Sequence, residues 1–401
     1  MRAILTKSLC YILIINYLLL FFHPDLADAA KKRPSSQQEA NSQNGNPPPY
    51  KSAILMDADT GQILFEYNIH ERLVPASLVK MMVILLVMER IQQGLLNFTD
   101  PVTASAWASK IGGHQVYLKE GEVFPVEELL KAVAISSAND AATALAEHIA
   151  GSTEAFVQLM NERAKELGMN DTTFANVHGL PAGKGQEENY TSAYDMAILA
   201  RELLKHPEVL HWSSTKEDTF RNGTFTLTNT NKLLGVFPGL DGLKTGYTAE
   251  AGFNLCATAK RDNLRLISVV MGGSNSRDRF AETTKLLSMG FNTYKKVNLF
   301  KKGFTIDREV TVLKGKTYKV KPVPAQDVGV LIKKGQENLL KTEYANLVDS
   351  VEAPVQKGQK VGEIVVKLQD QVLTKTDLII DEDVPVGSFI TRFIWWVWEK
   401  I

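Results

Sequence analysis

The chain has 401 residues, 44% hydrophobic and 22% charged, a composition that buries ordinary cores and divides into two or three domains. Its 45 Lys and Arg balance its 45 Asp and Glu, so it lacks the basic excess of an electrostatic nucleic-acid binder. Two cysteines, Cys10 and Cys256, exclude a disulfide framework and a cysteine-based zinc site.

The first elements concern export. Arg2 and Lys7 flank the start of an apolar run, Leu9 to Phe22, and Ala27-Asp28-Ala29 fits a small-x-small cleavage site. The run is shorter than the ~20 residues that cross a bilayer. Residues 1–29 are therefore expected to be a cleaved signal peptide, whose loss leaves Cys256 as a small core hydrophobe. Residues 30–49 are polar and Pro-bearing, which predicts a flexible linker.

Residues 50–295 carry the next pattern. Ser52 to Tyr67 reads as a β-hairpin turning at Asp59-Thr60-Gly61. Pro75-Ala76-Ser77 then opens a buried helix over Leu78–Ile91, stopped by Gly94. Helices are predicted at Val126–Ser136, Ala138–Ala150, Thr153–Leu167, Ala193–Leu204 and Phe280–Met289. Strands are predicted in FTLTNT, GFNLCATAK and LRLISVVMG. Strands at both ends with helices between predict an α+β domain in which early and late strands share a sheet. Residues 296–386 alternate short strands with Gly, Lys and Pro, predicting a small β domain, a sandwich, without catalytic groups. Residues 387–401 include SFITRFIWWVWEKI, an amphipathic, Trp-rich helix too short to span a membrane, which suits the membrane interface.

Three short motifs carry chemistry: Ser77-Leu78-Val79-Lys80, Ser137-Ala138-Asn139 and Lys244-Thr245-Gly246. Residues i and i+3 share a helix face, so Lys80 can reach the Ser77 hydroxyl. A hydroxyl needs a base to become a nucleophile. Lys80 serves only when neutral, which burial or the nearby charge of Lys244 promotes. Ser137 can pass protons, Asn139 can orient a substrate amide, and Gly246 lets a substrate backbone approach the strand. Each motif alone is weak; the set in this order belongs to serine β-lactamases and penicillin-binding proteins.

The sequence resembles the low-molecular-mass penicillin-binding proteins of the D-alanyl-D-alanine carboxypeptidase type. Segments carrying the likeness include SSANDAATALAEHIAG, YTSAYDMAILA, DGLKTGYT, AGFNLCATA and RDRFAETTKLLSMGF. The resemblance implies a β-lactamase/transpeptidase-like domain, a β-rich second domain and an amphipathic C-terminal anchor. It implies Ser77 as acylated nucleophile, Lys80 as general base, and Ser137, Asn139 and Lys244 as relay and clamp. The N–H groups of Ser77 and Tyr247 would form the oxyanion hole, and Arg279 with Thr245 would take the terminal carboxylate. Tyr247 departs from the smaller residue common there, and its ring is expected to narrow the site. His178 reads as structural. The implied partners are peptidoglycan stem peptides and β-lactam antibiotics, with no metal or cofactor. The implied location is the periplasmic face of the inner membrane. Alternatives are a class A-like β-lactamase, for which Glu166-Leu167-Gly168-Met169-Asn170 faintly fits the deacylating motif, a D,D-endopeptidase, and a non-catalytic peptidoglycan-binding scaffold. The diamino acid of the stem is not legible.

Overall fold

A computed structural model describes residues 47–398. The expected signal peptide, Cys10, most of the linker and the last three residues lie outside the described residues. The run SAILMD forms β1 (Ser52–Asp57) and ILFEY forms β2 (Ile63–Tyr67). Asp57 closes their turn by accepting from the Thr60 N–H at 2.8 Å and its hydroxyl at 2.6 Å. Strands β3 (Leu240–Thr248), β4 (Gly252–Arg261) and β5 (Leu264–Gly273) complete an antiparallel sheet in the order β2-β1-β5-β4-β3. Ala53 of β1 lies opposite Val270 of β5, so the first and last strands meet as expected.

Both faces of this sheet are covered, which explains why β1 lacks polar alternation. Ile54 and Met56 join Ile267 and Val269 in a core shared with the helices α1 (Lys80–Gln92), α2 (Val126–Ser136), α3 (Asn139–Ala150), α4 (Thr153–Glu166), α5 (Ala193–Leu203) and α6 (Pro207–Ser213). Ala53 and Leu55 point the other way, onto Leu286, Leu287 and Phe291 of α7 (Ser276–Thr293). Cys256 is a buried free thiol in the helical core, and burial pushes its pKa up. Three sequence readings change: α1 begins at Lys80, after a 3₁₀ turn, rather than at Leu78. Helix α7 starts before the predicted Phe280, because Asn275 caps a polar first turn by accepting from the Asp278 N–H at 2.9 Å. The short α6, with Pro at its start, was not anticipated.

From Tyr294 the chain is β-rich. A three-stranded sheet built on Val310–Leu313 and a four-stranded sheet built on Lys360–Leu368 and Gln371–Ile379 contribute to one core, in which Val310 and Val312 meet Ile364, Val366 and Leu378. The described chain ends in α8 (Phe389–Trp398). No helix among the described residues is long and apolar enough to cross a membrane.

Candidate active site

The Ser77 motif folds more tightly than an α-helix start. Ala76 takes a left-handed φ of 48° and residues Ala76–Val79 form a 3₁₀ turn before α1 begins at Lys80. Three residues per turn eclipse positions i and i+3. The Lys80 Nζ accordingly donates to Ser77 Oγ at 3.1 Å and to the His178 carbonyl at 2.5 Å. Asn254, fully buried in β4, pins the turn from below. Its amide donates to the Val74 and Pro75 carbonyls at 3.0 and 3.1 Å and accepts from the Gly272 N–H at 2.8 Å.

Two glycines allow the walls to close on this turn. A Cβ on Gly246 would meet the Pro75 carbonyl oxygen at 2.6 Å. The structure thus gives Gly246 a reason beyond substrate approach: β3 packs directly on the nucleophile turn. Gly179 has φ +76°, and its Cβ would stand 2.1 Å from the Ala76 carbonyl oxygen. Gly179→Ala is therefore expected to lower stability by more than about 1 kcal/mol from the backbone alone. It should also slow labelling by a fluorescent penicillin at least tenfold; a thermal melt and a labelling time course check both.

The second motif sits where α2 meets α3. Ser137 caps α2 with φ 65°, and Asn139 begins α3. Asn139 binds the facing loop twice, through Nδ2 to the Gly112 carbonyl at 2.8 Å and through its N–H to the His114 carbonyl at 2.7 Å. Asp140 adds to this, its carboxylate accepting from the Val116 and Leu118 N–H groups at 3.1 and 3.0 Å. The pinned loop brings His114 to the cleft wall. Burial, then Lys244 and Lys80, pull the His114 pKa down. Ser137 Oγ and Asn139 Oδ1 are buried, line the cleft and have no protein partner.

The third motif lies on β3. Lys244 is 2% exposed and donates to the Thr245 carbonyl at 3.2 Å, while the Thr245 hydroxyl donates to Thr230 at 2.6 Å. Arg279 donates to the Gly246 and Asn254 carbonyls at 3.1 and 3.2 Å and stands over the Phe253 and Phe280 rings. It is buried against the cleft, and among the described residues no carboxylate pairs with it. Tyr247 also lines the cleft, but its ring stacks on Phe253 with centroids 4.2 Å apart and stays 55% exposed. It walls the mouth of the cleft.

Ser77, Ser137, Asn139, Thr245, Gly246, Tyr247 and Arg279 thus line one cleft of about 490 Å³, with Lys80 and Lys244 buried behind it. Burial and then the Lys244 charge drive the Lys80 ammonium well below its ordinary pKa. Burial and then Arg279 lower Lys244 to about 7, and burial lowers Arg279 to about 10. Burial, then Lys80, depresses His178 to about 4, so its imidazole is neutral; Nδ1 accepts from the Leu180 N–H at 3.1 Å. Among the described residues, no Asp or Glu lines the cleft. The site therefore combines a hydroxyl nucleophile, a base and cations suited to an anionic ligand. Glu166, the carboxylate a class A lactamase would need, is a 65% exposed side chain paired with Arg163 at the end of α4.

Several contributors went unread in the sequence. The polar Asn254 within the apolar strand GFNLCATAK was a visible signal. Asp140 was visible only as a neighbour of the second motif. Gly112 acts through its backbone carbonyl and left no side-chain signature; His178 was read as structural, and its contact with Lys80 is likewise through its carbonyl.

Comparison with known proteins shows the family. Residues 40–275 match the family model described as D-alanyl-D-alanine carboxypeptidase, of the S11 peptidases, and residues 294–386 match the penicillin-binding protein 5 C-terminal domain. The D-alanyl-D-alanine carboxypeptidase DacF of Bacillus subtilis is 42% identical over 96% of both chains. DacC of Escherichia coli is 39% identical over 87% of this chain and 86% of its own. Crystalline penicillin-binding protein 5 of Haemophilus influenzae aligns with TM-score 0.72 and 34% identity, covering 85% of this chain and 99% of that one. Penicillin-binding protein D2 of Listeria monocytogenes, solved in an ampicillin-bound form, aligns with TM-score 0.54 and 32% identity over 61% of this chain and 98% of its own.

Proposed function

The chain belongs to the D-alanyl-D-alanine carboxypeptidase family, and on that premise we propose that its cleft removes the terminal D-alanine of peptidoglycan stem pentapeptides through an acyl-enzyme on Ser77. The observation that carries this reading is the 3.1 Å contact between the buried Lys80 amine and Ser77 Oγ. Arg279, with Thr245 beside it, takes the terminal carboxylate, for which a guanidinium is well shaped. Asn139 Oδ1 accepts the substrate amide N–H. Neutral Lys80 takes the Ser77 proton as Oγ adds to the carbonyl of the penultimate D-alanine. The N–H groups of Ser77 and Tyr247 hold the oxyanion. Collapse breaks the peptide bond, and the proton passes from Lys80 by way of Ser137 to the leaving amine. Water, deprotonated by the same base, then releases the shortened peptide and restores Ser77. A penicillin acylates the same hydroxyl through its strained amide.

Mass spectrometry of muropeptides incubated with the enzyme tests this. Pentapeptides should lose one alanine mass while cross-linked dimers stay intact. Cleavage of the dimers would favour the endopeptidase, and no change at all the scaffold. The absence of a lining carboxylate favours a long-lived penicillin adduct over lactamase turnover.

The same reading extends to the ends of the chain. We infer that the protein is exported by residues 1–29 and joined through residues 30–49 to a catalytic domain of 50–295. Residues 296–386 then space it from an anchor at 387–401. In α8, Phe389, Ile390, Phe393 and Trp396 are 79%, 71%, 55% and 52% exposed, an apolar surface suited to the membrane interface on the periplasmic side of the inner membrane. Deleting residues 387–401 is expected to abolish co-sedimentation with anionic lipid vesicles and leave hydrolysis of a soluble tripeptide unchanged. Undiminished sedimentation would remove the anchor.

A further inference from the structure

A second groove, of about 700 Å³, abuts the catalytic cleft, and Leu180 lines both. Its walls are preformed. Asn161 of α4 accepts from the Phe174 N–H and donates to its carbonyl, both at 2.8 Å, and Asn176 accepts from the Gly179 N–H at 2.7 Å. The two cavities are opposite in charge. The cleft is lined by Lys232 and Arg279 and by no carboxylate; the groove is lined by Glu154 and Glu187 and by no Lys or Arg. Hydrogen bonding, chiefly to its own N–H, draws the Glu154 carboxyl below its usual range, and the groove's His178 is neutral. Trp107 also lines the groove and is 56% exposed, an aromatic side chain of the kind that attracts cations.

We infer that this groove is a specificity subsite for the free ammonium group on the diamino acid that precedes the D-alanine pair in the stem. The inference rests on the carboxypeptidase reading. With the terminal carboxylate at Arg279 and Asn139 on the amide, the stem leaves past Leu180. The diamino acid follows the acylated residue by about 3.5 Å of chain. Its amine then enters a region whose charge complements it, as the carboxylate end meets the cationic cleft. Acetylation removes the charge and adds a small neutral group, so the groove substitutions, together with the substrate pair, show whether charge sets the preference in binding.

The test compares Nα-acetyl-Lys-D-Ala-D-Ala with its Nα,Nε-diacetyl counterpart on the full-length enzyme. The free-amine substrate is expected to show a KM at least fivefold lower at similar kcat. Trp107→Ala and Glu187→Gln should each erase most of that difference, chiefly by raising KM for the free-amine substrate, while leaving penicillin labelling unchanged. Equal KM values in the wild type, or a preference untouched by both substitutions, would overturn the inference. Release of D-alanine from neither tripeptide would overturn the carboxypeptidase reading, and this one with it.

Discussion

Ser77→Ala is expected to fold like the wild type and to form no covalent adduct with a labelled penicillin. The hydroxyl makes one hydrogen bond, to Lys80 Nζ at 3.1 Å, so its loss costs stability only about 1 kcal/mol. The backbone turn does not depend on it: Asn254 holds the Val74 and Pro75 carbonyls. Turnover should fall on the order of a millionfold, the scale at which activated serine hydrolases fail without their nucleophile. A melt within a few degrees of wild type, with no labelled band, is the expected pair of results. A persistent band would place the nucleophile elsewhere.

Lys80→Arg should be nearly as damaging, for a different reason. An arginine keeps the reach but stays protonated, so it cannot act as base. Acylation is expected to drop by at least about a thousandfold, within the upper range for general-base contributions. The wild type should also show a particular pH profile. Protonating Lys80 removes the base, so acylation falls as pH drops through its lowered pKa. Deprotonating Lys244 removes a cation that attracts the ligand carboxylate, so binding weakens as pH rises through about 7. The two amines titrate as a pair, giving a bell-shaped kcat/KM. Bound substrate carboxylate favours protonated Lys244, so the alkaline limb of kcat should lie at higher pH than that of kcat/KM. A stopped-flow acylation series from pH 4 to 10 would read both limbs; a rate that rises toward acid pH would remove Lys80 as base.

What was legible in the sequence followed from locality. Ser77 and Lys80 are three positions apart, and the serine-containing and lysine-containing motifs each occupy consecutive residues, so their chemistry could be read in short windows. The hairpin, the longer helices and the sheet strands were likewise readable because each buries an apolar pattern. The supports of the site were not local. The Lys80 amine ends on a carbonyl 98 residues away, and Asn254 holds a turn 179 residues upstream. Gly246 illustrates the limit: its lack of a side chain was noticed, but the sequence could not show that the Pro75 carbonyl occupies the space. Arg279 shows the converse. Periodicity placed the helix start at Phe280, whereas the capped turn Ser276–Arg279 puts the guanidinium inside the helix and against the cleft.

The most direct test is peptide mapping by mass spectrometry after brief exposure of the full-length protein to benzylpenicillin. The account predicts one added penicilloyl mass, confined to the peptide that contains Ser77 and absent from Ser77→Ala. An adduct mapped to Ser137 or any other residue, or a wild-type protein that takes up no mass, would contradict it.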